Sequence, residues 1–521
     1  MKNNILLSIF LIAIVVNTNA AIRYVTPLGA GALNGTSWAN AFPGTSLQAA
    51  ISASGIGDEV WVATGTYYTT TTITRTISFS MRNDVAVYGS FAGTETLLSQ
   101  RILTNGLTTT LSGEIGTVGI GDNSYHTISN SNLNNTAIID GFIIRDANDN
   151  RAVSLTNGLG GGIYNNGSGA GGVCSPTIRN CVIINNQATF GAGIFNNGYN
   201  GGNASPIISN CVISTNIAIE GGGGLDNFGV TGNASPIITN CVIYNNTAAT
   251  RAGGMYCWGG SNGNANPIVV NTVFARNTAV DGGAVVSDRL NLNSTTNSSG
   301  NSNPNFKNCI FWGNTASGTG PQFFNLGAAT FSATYSNIDL TGQNSPHIVS
   351  GPVTGNINTN PLFSNIVLGI GPDGNWMTTD DGLQLHSSSP CINAGDNTGV
   401  PLTDILTNNR ILNSIVDLGP YEFSSTLTVV TEIDKQNIGI VLFPNPTSNI
   451  LNLTFNISEI DNFVLTLFDI NGRLLKTIDQ GQKTIGTYNY QIDLSQQQCG
   501  IYFLTLKTTK QEYTQKIIRT E

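Results

Sequence analysis

The sequence predicts an all-β protein: a right-handed parallel β-helix (solenoid) followed by a small antiparallel β-sandwich. Three observations carry this. The chain of 521 residues holds 61 Gly and only 10% charged residues, a composition poor in helix formers. A segment opening on proline recurs through its middle at spacings of 30 to 37 residues. From residue 437 the pattern changes to the apolar–polar alternation of half-buried strands. The 21 basic and 30 acidic side chains leave a net charge of −9. That disfavours a nucleic-acid binder, because phosphate neutralisation needs dense Lys and Arg. A hydrophobic content of 40% argues against a disordered chain.

Residues 1–20 read as a signal peptide. Lys2 supplies the charge, Ile5 to Val16 the apolar run, and Thr18-Asn19-Ala20 the small residues before cleavage. The run is shorter than the roughly 20 residues a membrane-spanning helix needs. Cleavage after Ala20 is expected, with no transmembrane segment in the mature chain. Residues 21–135 start the solenoid. A helix around Leu47–Ser54 is expected to shield the open end of the apolar channel, and a strand at Val60–Ala63 to begin the first coil.

Residues 136–350 hold the repeat: PTIRNCVIINNQA from Pro176, PIISNCVISTNIA from Pro206, PIITNCVIYNNTA from Pro236, PIVVNTVFARNTA from Pro267 and PNFKNCIFWGNTA from Pro304. Stacked coils place Ile178, Ile208, Ile238, Val269 and Phe306 in one inward column. Ile183, Ile213, Ile243, Phe274 and Phe311 form a second. Two asparagine columns, from Asn180 to Asn308 and from Asn186 to Asn314, mark corners. Asn tolerates left-handed backbone and hydrogen-bonds along a stack. Cys181, Cys211, Cys241 and Cys309 share a column, with Thr272 and Gly141 in the equivalent slots, which suggests a small packing residue. Export permits disulfides, so a pairing of Cys174 with Cys257 stays open. A glycine motif precedes each return. It sets Ile163, Ile194, Leu225, Met255 and Ala284 inward, and Tyr164, Phe195, Asp226, Tyr256 and Val285 outward.

The glycine and [FI]xxN motifs resemble the repeats of polymorphic outer-membrane and autotransporter-type proteins over about residues 135–320. IRYVTPLGAGALNGTSWANAF, LQAAI and GDEVWVATGTYY resemble the first coils of secreted, pectate-lyase-like β-helix proteins. GNINTNPLF, SPCINAG and VDLGPYE, within 351–423, resemble their closing segment, and 424–436 reads as a linker. Residues 437–521 closely resemble the type A C-terminal sorting domain of type IX secretion, found in Bacteroidetes. The resemblance rests on Pro444-Asn445-Pro446, Asp469 to Gly472, Asp493-Leu494-Ser495, Gly500-Ile501-Tyr502 and the basic end Lys516 to Arg519. It implies Sec export, passage through the type IX machinery, and release or attachment at the outer surface.

Three functions fit such a chain. The first is adhesin-like binding of glycan or another surface. Outward aromatics at Tyr164, Phe195 and Tyr256, with Tyr199, Phe228 and Trp258 in the loops of the same region, would offer rigid faces to sugar rings, and the Gly/Asn/Ser-rich loops adaptable contacts. The second is a polysaccharide lyase or glycoside hydrolase: Glu220, Asp226, Asp281 and Asp288 lie around the glycine corners with Arg251 on an intervening coil, and Glu220, Asp281 and Arg251 are the candidate catalytic groups. The outward column Arg179, Ser209, Thr239, Val270 and Lys307 holds no acid, which weighs against it. The third is a structural surface component without ligand. No cofactor is required. Asp373, Asn375, Asp380 and Asp381 put oxygen ligands in one glycine-containing loop, so Ca²⁺ is the candidate metal. His126, His347 and His386 lack ligand spacing.

Overall fold

The computed structural model describes residues 20–154, 157–292, 295–296, 299–343, 354–424, 441–457, 461–470, 472–508 and 512–520. The export signal, the linker, His347 and Asn471 lie outside the described residues, Ala20 and Ser424 apart. The chain forms two units, one through Ser424 and one from Ser425.

In the first unit the coils build four parallel sheets of 11, 9, 6 and 7 strands, and the central coils pass through all four. One coil runs Thr177–Arg179, Val182–Ile184, Gln187–Phe190 and Ile194–Asn197. Both expected aliphatic columns stack in register and are fully buried. Each such side chain contributes roughly 1.5–3 kcal/mol. The helix Leu47–Ala53 buries Leu47, Ala50 and Ile51 in the same core, and the strand after it runs Glu59–Ala63.

The asparagines hold the coils in register. Asn180, Asn210, Asn240, Asn271 and Asn308 all take left-handed φ, from 48° to 54°. In the second column Asn186, Asn216, Asn246 and Asn277 each donate Nδ2 to the next Oδ1 at 2.9–3.0 Å. Each Oδ1 so used also accepts the backbone N–H of the preceding asparagine. A third ladder, unmarked by the repeat motifs, runs Asn130, Asn165, Asn196, Asn227 and ends on the Cys257 sulfur.

Several expectations are corrected. All eight cysteines are free thiols, Cys174 and Cys257 included. Cys181, Cys211, Cys241 and Cys309 each point Sγ at the carbonyl two residues back, at 3.1–3.2 Å. The Thr272 hydroxyl makes the same bond, as a small packing residue should. The residue in the Cys181 slot of the preceding coil is the buried Phe142, because Ile143 pairs with Val182; Gly141 takes the Asn180 slot. In the glycine motif Val285, not Ala284, pairs with Met255, and Val286 pairs with Tyr256. Ala284 takes the place of Gly254 in the glycine pair.

The loops are also more ordered than their composition suggests. Gly198, Gly229 and Gly259 donate N–H to the carbonyls of Phe228, Trp258 and Asp288 on the next coil. A Cβ on Gly232 would lie 1.8 Å from the Gly198 carbonyl, and one on Gly263 1.8 Å from that of Gly229. Glycine is therefore demanded by close stacking.

The closing segment lies along the outer face of the nine-stranded sheet. Its Trp376, Met377, Leu383, Leu385, Ile405 and Leu418 pack on the outward column Val182, Val212, Val242, Val273 and Ile310. The first asparagine column bonds it down: Asn240 to the Thr403 carbonyl, Asn271 to that of Asp417 and Asn308 to that of Asp396, at 2.7–3.0 Å.

The second unit is a sandwich of a three-stranded and a four-stranded antiparallel sheet. Leu451, Leu453, Phe455, Phe463, Leu465, Leu467, Leu504 and Ile517 fill its core.

Candidate functional site

The outer face of the seven-stranded sheet carries a row of rings. His126 stacks on Tyr164 at 5.2 Å, and Tyr164 lies 6.1 Å from Phe195. Phe195 is 5.9 Å from Phe228, which stacks with Tyr199 at 5.8 Å and meets Trp258 edge-on at 5.3 Å. The third asparagine ladder sets this row: Asn165, Asn196 and Asn227 are buried between the strand positions that point outward. At one end Asp149, fully buried, accepts the Arg151 guanidinium and the N–H groups of Gly158 and Leu159, and so places Leu159 beside the rings.

Under the stacked loops this face leaves a cleft of about 620 Å³. Leu159, Phe190, Phe195, Tyr199, Phe228 and Trp258 wall it, and Asp226 lies in its lining. Tyr199, Trp258 and Phe190 remain half-exposed. The Trp258 indole N–H is used internally, donating to the Leu290 carbonyl at 2.9 Å. Asp226 is 2% exposed, and its Oδ1 has no hydrogen-bond partner. Burial, and after it the charge of Asp288, push its carboxyl well above the usual range. Asp288 is satisfied: it accepts the Tyr256 hydroxyl at 2.7 Å and the Leu290 N–H at 2.7 Å. Burial raises its carboxyl too.

The expected exposed aromatic platform is therefore corrected. Phe195 and Trp258 do border the cleft. Tyr164 is buried, with its hydroxyl accepting the Asn197 amide, and Tyr256 is buried against Asp288. The loops cover these rings because their backbones stack at strand spacing. Phe190 and Leu292 had no motif to reveal them; Asp226 stood in the outward column but could not be known to lack a partner.

The other candidates do not gather there. Glu220, Arg251 and Asp281 occupy a corner, where Arg251 bridges Gly221 and Asp281 through its backbone. Glu220 accepts the Thr250 hydroxyl, and Asp281 the Thr319 N–H. In the acidic loop Asp373 is exposed and Asp380 half-buried, and Asn375 donates its backbone N–H to Asp373. Asp381 is buried, accepting the Tyr421 hydroxyl at 2.7 Å and the Met377 N–H. Among the described residues no three His, Cys, Asp or Glu side chains come together as a metal site.

In the second unit the proline motif is tied to the last strand. Asn445 donates to the Lys516 carbonyl at 2.7 Å and accepts the Ile518 N–H at 2.9 Å; Pro444 and Pro446 flank it after cis peptide bonds. Asp469 accepts the Arg473 N–H, and Gly472 turns with φ 77°. Gly500 pairs with Arg519, and Tyr502 pairs with Asp469 and donates its hydroxyl to the Gln498 carbonyl. Residues 441–520 match the family of secretion system C-terminal sorting domains. The sorting domain marks the chain for type IX secretion, to the cell surface or the extracellular space. Its motif residues are thus the joints of its own sandwich, closing the first strand on the last. No curated protein matches this chain. Among the described residues no helix is long and apolar enough to cross a membrane.

Proposed function

We propose that the protein is an adhesin-like binding protein of the outer surface, and that its β-helix holds a glycan in the cleft over the seven-stranded sheet. The observation that supports this is the cleft itself: five aromatic side chains around about 620 Å³, with a carboxyl in the lining. The half-exposed rings of Phe190, Tyr199 and Trp258 suit the apolar faces of pyranoses. The sorting domain delivers that cleft to where extracellular polymers are met. The test is binding of the purified chain to a polysaccharide panel, beside Trp258→Ala and Tyr199→Ala. Loss of binding in both variants supports the cleft; retained binding in both removes it.

A hydrolase is the second reading, favoured by one observation. Asp226 and Asp288 are buried carboxyls two coils apart in the same sheet, with Tyr256 between them, and burial favours the protonated form that a general acid requires. New chain ends in the panel, seen by mass spectrometry and lost in Asp226→Asn, would establish it. An undegraded panel removes it.

A further inference from the structure

The glycan reading leaves the Asp226 carboxyl without a task. A buried carboxyl lacking a hydrogen bond is costly to keep in a folded chain. Every other buried carboxyl described above is met by N–H, hydroxyl or guanidinium donors, whereas Asp226 accepts no hydrogen bond among the described residues. What surrounds it is aromatic: Phe195 precedes it in its outward column, and Phe228 and Trp258 stand in the next one. Ring faces around one acid form a poor seat for a neutral polyol, whose hydroxyls need several partners. They form a good one for an organic cation, which gains from both the π-faces and the charge.

Resting on the glycan reading, we infer that the cleft takes an amino sugar, with its ammonium group paired to Asp226 and its ring lying against Trp258 and Tyr199. The charged and titratable groups around Asp226 agree with a missing cation. Asp288 raises its proton affinity, and Cys257 lies on the adjacent strand. Tyr256, its partner in register, gives its hydroxyl to Asp288. Arg251 acts on Tyr256 and Asp288. While no cation is bound, burial without a hydrogen bond favours the protonated form of Asp226. When the ammonium arrives, the carboxyl O–H proton leaves to the buffer and a carboxylate–ammonium pair replaces it.

Isothermal calorimetry on the full secreted chain tests this with two probes of equal length: glucosamine oligosaccharides and their N-acetylated counterparts. They share a backbone and differ in charge. Working below the pKa of the amine, in two buffers of different ionisation enthalpy, counts protons. The glucosamine oligomer should bind at least about tenfold tighter and release about one proton per site. Asp226→Asn, which keeps the shape without an ionisable group, should bring the two probes to equal affinity and abolish the release. Equal affinity of the unmodified chain for both probes would overturn the ammonium assignment and leave the glycan reading standing. Binding of neither would overturn it as well, and the polysaccharide panel then decides the glycan reading separately. A preference that survives in Asp226→Asn would remove Asp226 from the site. Should that variant not fold, the two-probe comparison on the unmodified chain still decides.

Discussion

Two outer faces of the solenoid are apolar, and they are covered differently. On the nine-stranded sheet, Val182, Val212, Val242, Val273 and Ile310 lie beneath the closing segment, whose own side chains fill the face. On the seven-stranded sheet, the rings from Tyr164 to Trp258 lie beneath loops that leave a cleft. The polar groups differ in the same sense. In the closing segment Asp381, Asp404, Asp417 and Glu422 each accept at least two hydrogen bonds. Asp226 in the cleft accepts none among the described residues. An outward apolar row is thus no sign of a site in a β-helix, since another part of the chain can cover it. Under the proposed binding role, incomplete cover together with a buried carboxyl that accepts no hydrogen bond marks the site; Asp381 on the covered face has one oxygen unpartnered but accepts two bonds on the other.

The comparison breaks most visibly at Arg410. This guanidinium is fully buried, donates to the Gly419 and Pro420 carbonyls and pairs with Glu422 at 3.6 Å. Arg410→Met leaves Glu422 without its ion pair and removes the cation that faces Asp404 and Asp417, at a cost of about 3–5 kcal/mol. Limited proteolysis should then cut between 357 and 423, while glycan binding at the other face is unchanged. Equal protease resistance would show that the covered face does not depend on its polar anchor.

Acidity sharpens the same contrast. Burial raises the carboxyls of Glu422 and Asp381 to about 7. A carboxyl whose pKa is higher folded than unfolded stabilises the fold while protonated, and that contribution is lost as pH rises through the folded value. The closing segment should therefore loosen as pH climbs through about 7. Hydrogen exchange across the transition would show faster exchange in 357–423 than in the asparagine ladders. Uniform exchange would contradict it.

Smaller effects fall within the solenoid. Asn216→Ala removes the partner of two donors on Asn186 and should cost about 1–3 kcal/mol, read as a lowered melting transition. Tyr164→Phe deletes one acceptor for Asn197, worth about 1 kcal/mol, and should leave glycan affinity intact because Tyr164 does not line the cleft. Weakened binding in that variant would extend the site along the row of rings.

The core was legible because its period is simple: Ile178 and Ile183 recur with fixed spacing and stack in register as read. The glycine motif misled by one position, because matching glycine to glycine placed Ala284 where Val285 belongs; the register follows backbone pairing, and Ala284 fits a glycine slot. The closing segment gave no hint of where it lies. It has no repeat, and its contacts with Val182 or Asn271 join residues far apart in the chain. For the cleft, Phe195 was readable as an outward aromatic and Trp258 as a loop aromatic, but how far each is covered depends on loop stacking that composition does not encode. Asp226 could be placed but not weighed, since a missing partner is visible only in three dimensions.

The proposed binding places ligand at the incompletely covered face. Its most direct test is the affinity of the full chain and of Trp258→Ala for the tightest glycan in the panel, with unfolding followed in parallel. A loss of at least about tenfold is expected, as for removal of an aromatic hot spot, with cooperative unfolding retained. Unchanged affinity in a folded Trp258→Ala chain would contradict it.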